Sequence, residues 1–217
     1  EISNISNIGI DNISKCHLAS NNMVVNTLSI RYYFTYLFLN RFLKNKNNIN
    51  ILEIGCCSPV GVMQNFLKYS LEQINCILLC DLFPVLLISY STLLYNFPNI
   101  KILFYNNEKN VEELISHYDV ILIIPDYINN FINCKIELCF NSYSFSEMTE
   151  YNLKNYFNFL KKTTNYLISE NKHTDNNQGF KALLDFIPNS FKTQSTHNNC
   201  NVPDGHHNII CFKIYNI

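Results

Sequence analysis

The sequence predicts an α/β fold: a three-layer sandwich about a mainly parallel sheet, with an antiparallel C-terminal strand. Three observations point there. Short apolar runs of strand length alternate with helix-length segments between residues 50 and 169. One run, Ile51-Leu52-Glu53-Ile54, passes into Gly55-Cys56-Cys57-Ser58-Pro59-Val60-Gly61, as a parallel strand does when it hands over to a tight turn and a helix. Two last strand candidates, 191–195 and 208–215, follow each other with no helix between them, as antiparallel neighbours do.

The elements follow in order. Residues 1–28 are polar and rich in Asn and Ser, and read as an irregular arm or a short helix ahead of one domain over 29–217. Residues 29–44 carry aromatic and Leu positions on most faces, the mark of a buried helix. A polar linker, 45–49, leads to the first strand at 50–55, and 61–69 is helical. The run 76–80 is a buried strand closed by Asp81. Pro84 suits the first turn of a helix over 84–96, and Pro98 stops it. Strand candidates at 100–105 and 119–124 flank a helix over 108–117, and a further strand lies at 136–141. The helix over 152–164 places Leu153, Tyr156, Phe157 and Leu160 on one face. A strand at 166–169 and a polar loop at 171–179 precede the closing pair.

Composition narrows the function. At 217 residues, 47% hydrophobic and 15% charged, the chain is globular and long enough for a full core. A formal net charge of −1 gives no electrostatic case for nucleic acid or an anionic membrane, and no apolar run reaches spanning length. The nine cysteines form no C-x-x-C pair and lie mostly in strand-like runs, where a free thiol acts as a small hydrophobe. Their odd number, with no leader-like start, favours a reducing, cytoplasmic setting. A start at Glu1 leaves room for a removed segment.

The chemistry gathers at four places. Glu53 stands two residues before Gly55, and Asp81 ends the next strand, where an acid can accept both hydroxyls of a ribose or simply begin the following helix. The segment Asn141-Ser142-Tyr143-Ser144-Phe145-Ser146-Glu147-Met148 follows a strand, so it faces the crevice where open α/β sheets bind ligands. Glu147 can take a hydroxyl proton there, or serve as a first-turn acid of a helix. His206 and His207 offer imidazole as the alternative base, or are turn residues before the last strand. With His197 and Cys200 they lack the tight spacing of a metal set, and no metal is expected.

Glu53-x-Gly55 resembles the loop of class I S-adenosylmethionine (SAM) methyltransferases, E/D-x-G-x-G-x-G, with Cys57 and Pro59 in place of the second and third glycines. Asp81-Leu82-Phe83-Pro84, Tyr90 to Leu94, Asn96-Phe97-Pro98 and the 141–148 block resemble the sugar O-methyltransferase family, as does Asp204-Gly205-His206-His207-Asn208. The likeness runs from about Tyr32 to the C-terminus. It implies a Rossmann-like fold, SAM as cofactor, and a hydroxyl of a sugar, nucleotide sugar or other sugar-bearing small molecule as acceptor. It places Glu53, Gly55, Cys57, Asp81 and Asn141 at the cofactor, and Glu147 and His207 at the chemistry; which of 100–105 and 119–124 is the family's third strand decides whether Asn106 or Asp126 lies near the adenine. The replaced glycines favour a rival, a degenerate methyltransferase fold that binds without catalysing. A nucleotide-binding oxidoreductase would need the G-x-G-x-x-G that is missing.

Overall fold

The computed structural model describes residues 15–18, 23–56, 61–107, 110–173, 191–199 and 206–214, with side chains described over 32–56, 61–107 and 110–170. Its centre is a parallel sheet. The six parallel strands are β3 (Ile49–Ile54), β4 (Ile74–Cys80), β5 (Ile102–Phe104), β6 (Val120–Ile123), β7 (Ile136–Ser142) and β8 (Thr164–His173). They lie in the order β5-β6-β4-β3-β7-β8. Beyond β8 the sheet continues with β10 (His206–Ile214) and then β9 (Phe191–Asn199), each paired antiparallel to its neighbour.

Two helical layers cover the sheet. On one face lie α1 (Thr27–Asn40), α2 (Val62–Tyr69) and α3 (Phe83–Asn96); they share a core with Ile51, Ile77, Leu79, Val120 and Leu138. On the other lie α4 (Val111–His117) and α5 (Glu150–Thr163), packed with Leu52, Ile54, Leu78, Ile121 and Cys139. Consecutive strand residues point to opposite faces, so β3 sends Ile51 and Leu52 into different cores. Burial on both faces explains why these strands read as continuous apolar runs.

Local chemistry sets the boundaries. Pro84 sits in the first turn of α3, where its missing N–H costs nothing. Thr149 caps α5 by accepting from the Asn152 amide at 3.4 Å. Pro125–Phe131 and Ser144–Glu147 form 3-10 stretches. Three expectations need correction. The segment 1–28 is partly strand: β1 (Lys15–Leu18) and β2 (Met23–Asn26) pair antiparallel, and α1 already starts at Thr27. The strand expected at 166–169 is longer and runs through 171–173, into the expected loop. The helix expected from 152 starts at Glu150, next to its cap.

The two candidates at 100–105 and 119–124 are both strands, and their order bears on function. β6 lies beside β4, while β5 is displaced to the edge. Asp119 explains the alignment: its carboxylate accepts from the Lys101 amide at 2.8 Å, and its own amide donates to the Lys101 carbonyl at 3.0 Å. The segment that follows β6, beginning Ile124-Pro125-Asp126, therefore lies beside the end of β4.

Candidate functional site

From β3 the chain winds to β4 on one side, while β7 lies on the other. This is the topological switch point, and ligands of open α/β sheets bind outside the strand ends there. The strand ends are levelled by ladder bonds that run past the strands themselves. Gly55 N donates to Cys80 O at 2.8 Å, and Asp81 N donates to Ile123 O at 3.2 Å.

A cleft of ≈ 510 Å³ opens above these ends, within the range of small-molecule sites. Gly55 forms part of its wall from β3, Cys80 and Asp81 from β4, and Asp126 and Asn129 from the turn after β6. Ser144 and Glu147 come from the segment after β7, and Tyr151, Asn152, Asn155 and Tyr156 from the start of α5. The cleft thus joins groups more than a hundred residues apart in sequence.

The floor is a latch between two segments. Gly55 has φ +72°, a conformation that L side chains adopt at a cost of about 1–2 kcal/mol. A Cβ there would collide with the Oγ and Cβ of Ser144, so glycine is required twice over. Ser144 Oγ donates to the Ile54 carbonyl at 3.1 Å. Asn141, fully buried, donates from Nδ2 to the same carbonyl at 2.8 Å and to Ser144 Oγ. Its Oδ1 accepts from the Phe145 amide at 3.4 Å and from Ser169 Oγ at 3.3 Å. All the polar capacity of this buried amide is used, as burial demands. Tyr143 takes φ +65°, held by its N–H to Glu170 O at 2.7 Å and by Ser146 Oγ donating to its carbonyl at 2.7 Å.

Glu53 lies elsewhere. Strand alternation turns it away from Ile54, toward the α1–α3 face, and its side chain is buried. It lines a separate, small cavity of ≈ 20 Å³ with Cys56, Gly61, Gln64 and Ser89. Burial raises its carboxyl to about 8, and the nearby Asp81 charge adds to the rise. The expectation that Glu53, Gly55 and Asp81 line one crevice therefore needs correction: Gly55 and Asp81 share the cleft, and Glu53 sits behind it.

Asp81 is half-buried on the cleft wall. Its Oδ1 accepts from the Leu82 amide at 2.7 Å. It is not the helix cap: that position is Leu82, which makes no side-chain cap bond. Glu147 lines the cleft and Asn141 lies beneath it. Cys57 lies outside the described residues. The backbone of His207 is placed in β10, opposite Lys172 and Asn199; its side chain lies outside the described ones. Tyr156 reaches the cleft wall, its hydroxyl 3.5 Å from Cys80 Sγ, and desolvation followed by the nearby Cys80 pushes that phenol up.

Asn129, Tyr151, Asn152 and Asn155 were not singled out as site residues from sequence. The sequence left Asn106 and Asp126 as alternatives, to be decided by strand order. Asp126 lines the cleft, and Asn106 is not among the cleft residues. Among the described residues no three His, Cys, Asp or Glu side chains converge to hold a metal, and no helix is long and apolar enough to cross a membrane.

This fold is shared with solved structures of methyltransferases. TrmN from Thermus thermophilus superposes with a TM-score of 0.56 at 8% identity, over 83% of this chain and 48% of that one. The chain thus spans about half the length of TrmN. The N-methyltransferase NodS from Bradyrhizobium japonicum gives 0.56 at 8% identity, over 84% of this chain and 95% of that one. The protein lmo1582 of Listeria monocytogenes, assigned to the class I SAM-dependent methyltransferases, gives 0.52 at 13%, over 86% and 60%. The chain has the class I methyltransferase fold. No family model matches it, and no curated protein matches its sequence.

Proposed function

We propose that this chain is a SAM-dependent O-methyltransferase acting on a hydroxyl of a sugar or sugar-bearing small molecule. The observation that carries the reading is the shared cleft of Gly55, Asp81 and Asp126 at the switch point of a methyltransferase-type sheet. The donor set fits the cofactor. A glycine at positive φ lets backbone approach a ligand closely. Asp81 offers a carboxylate for ribose hydroxyls, and Asp126 with Asn129 offers acceptors and donors for a purine edge. Asn141 and Ser144 hold Gly55 from below and Glu53 lies behind it, while Cys57, outside the described residues, is assigned to the cofactor through the loop resemblance alone.

SAM supplies a methyl group already activated on a sulfonium, so the protein's task is positioning and proton removal. Glu147 takes the acceptor's hydroxyl proton, or holds the sugar while His207 takes it; general-base help of this kind is worth roughly 10²–10⁴-fold. Asn152 and Asn155 offer the paired donors and acceptors that a polyhydroxylated acceptor needs. The described free cysteines, all buried, suit a reducing cytoplasmic setting.

The test is transfer of a labelled methyl group from SAM to a panel of sugars, glycosides, nucleotide sugars and transfer RNA. Label on a sugar hydroxyl supports the reading. Label on RNA, or on nitrogen, replaces the acceptor class. The replacement of two loop glycines by Cys57 and Pro59 favours one rival, a binding-only protein. SAM binding with no transfer to any acceptor would favour that rival.

A further inference from the structure

We infer that the outer face of α3 is the contact surface of a symmetric homodimer. The helix has two faces. Leu86, Ser89 and Leu93 are buried against the sheet. Phe83 and Tyr90 pack their rings on Phe104, with centroids 5.9 and 5.3 Å apart, which fixes the helix over the β5 edge. The opposite face is as apolar as the buried one. Phe83 is 55% exposed, Leu87 45%, Ile88 57% and Tyr95 87%, with Leu82 and Leu94 beside them.

Scattered exposed hydrophobics are ordinary, but a continuous stripe is not. Positions 84, 87, 88, 91, 94 and 95 recur at helical spacing and hold Pro, Leu, Ile, Ser, Leu and Tyr. Over fourteen residues such a helix is roughly 21 Å long. The exposed parts of these six large apolar residues amount to about 700 Å², counting on the order of 200 Å² for a whole large side chain. That already approaches the ~800 Å² each partner contributes to a stable interface, before Pro84 and Ser91 are counted.

Charge selects the partner. From Leu82 to Ile100 there is no Asp, Glu, Lys, Arg or His. Such a face offers nothing to complement an acidic peptide, a phosphate or a basic patch. Across a two-fold axis each group meets the same patch of its mate, so a neutral apolar stripe meets no like charge and buries apolar surface from both sides. A second copy of this chain is therefore the fitting occupant. The inference does not depend on the methyl-transfer reading.

The experiment is sedimentation equilibrium on the whole chain, from about 1 to 100 µM, with Ile88→Asp, Tyr95→Asp and Leu71→Asp as variants. Leu71 is exposed but lies outside α3. The expected result is a species of twice the monomer mass for the wild type and Leu71→Asp. For Ile88→Asp and Tyr95→Asp self-association should be at least tenfold weaker, with unchanged circular dichroism and melting. A wild type monomeric at 100 µM overturns the inference, since the stripe would then be covered within the chain or serve another partner. A dimer that persists unchanged in both α3 variants overturns it too, as does an open-ended series of larger species.

Discussion

Two cavities meet at the end of β3, and they differ in size and chemistry. The one behind the turn is small, about large enough for a single water (≈ 20 Å³), and holds Glu53 among Gln64, Cys56 and Ser89. The one in front is large, ≈ 510 Å³, and holds Asp81, Asp126 and Glu147 among amides and hydroxyls. Glu53 and Gly55 are two residues apart in sequence yet face different spaces, because Gly55 leaves the strand at positive φ. The acid of the loop signature is thus a buried group that feels the charge at the site, and the acid of the next strand is the one in ligand reach. The coupling between them is visible in Glu53, whose carboxyl is raised first by burial and then by Asp81.

The largest effect that tests this contrast is in stability against pH. The folded Glu53 carboxyl titrates at about 8, well above its unfolded value of 4.5. Between those values the folded state holds a proton that the unfolded state has lost, so stability falls as pH rises. The contribution is fully present below pH 4.5, declines across the window, and is lost above about 8. The loss is on the order of 5 kcal/mol. Glu53→Gln, which keeps the shape without the titration, should flatten the curve in urea unfolding from pH 5 to 9. An unchanged slope in that variant would mean that Glu53 is not the buried titrating group.

Gly55→Ala comes next. It forces a side chain into the left-handed region, at about 1–2 kcal/mol, and against Ser144, at about 1–3 kcal/mol more. Adding Ser144→Gly should recover the steric part and leave the backbone part. Two additive losses in the double variant would mean that the turn and the 141–148 segment do not touch.

Asn141→Ala follows, at about 1–3 kcal/mol, because it strips the Phe145 amide of its side-chain acceptor and leaves the Ile54 carbonyl with Ser144 Oγ alone. Asn141→Asp should be worse than Ala, since a carboxylate would face that carbonyl without a donor. Urea midpoints that do not move in either variant would remove the latch.

How much of this was legible in the sequence differs between the two cavities. The strand runs, Pro84 at the start of α3 and the face of Leu153, Tyr156, Phe157 and Leu160 were readable, since they depend on local periodicity and on proline's missing donor. The nearness of Asn141 to Gly55 was not. It rests on bonds between residues 87 and 90 apart, and no local pattern encodes those. The choice between Asn106 and Asp126 stayed open for a similar reason: it depends on β6 rather than β5 lying next to β4. The turn of Glu53 away from the cleft was available in principle from strand alternation, but the motif reading grouped it with its neighbours in sequence. Pro125 starts a short 3-10 stretch that apolar periodicity does not reveal.

The central claim is that the open cleft, through Asp81, holds the cofactor. Calorimetric titration of SAM into the whole chain tests it most directly, beside Asp81→Ala and Asp119→Ala. Asp119 binds the Lys101 amide at the start of β6, at the opposite end of the sheet. The account predicts measurable binding to the wild type, unchanged in Asp119→Ala, and weaker by about 1–3 kcal/mol in Asp81→Ala, the scale of a lost charged hydrogen bond. Equal affinity in the wild type and Asp81→Ala, or no binding of SAM to the wild type, would contradict it.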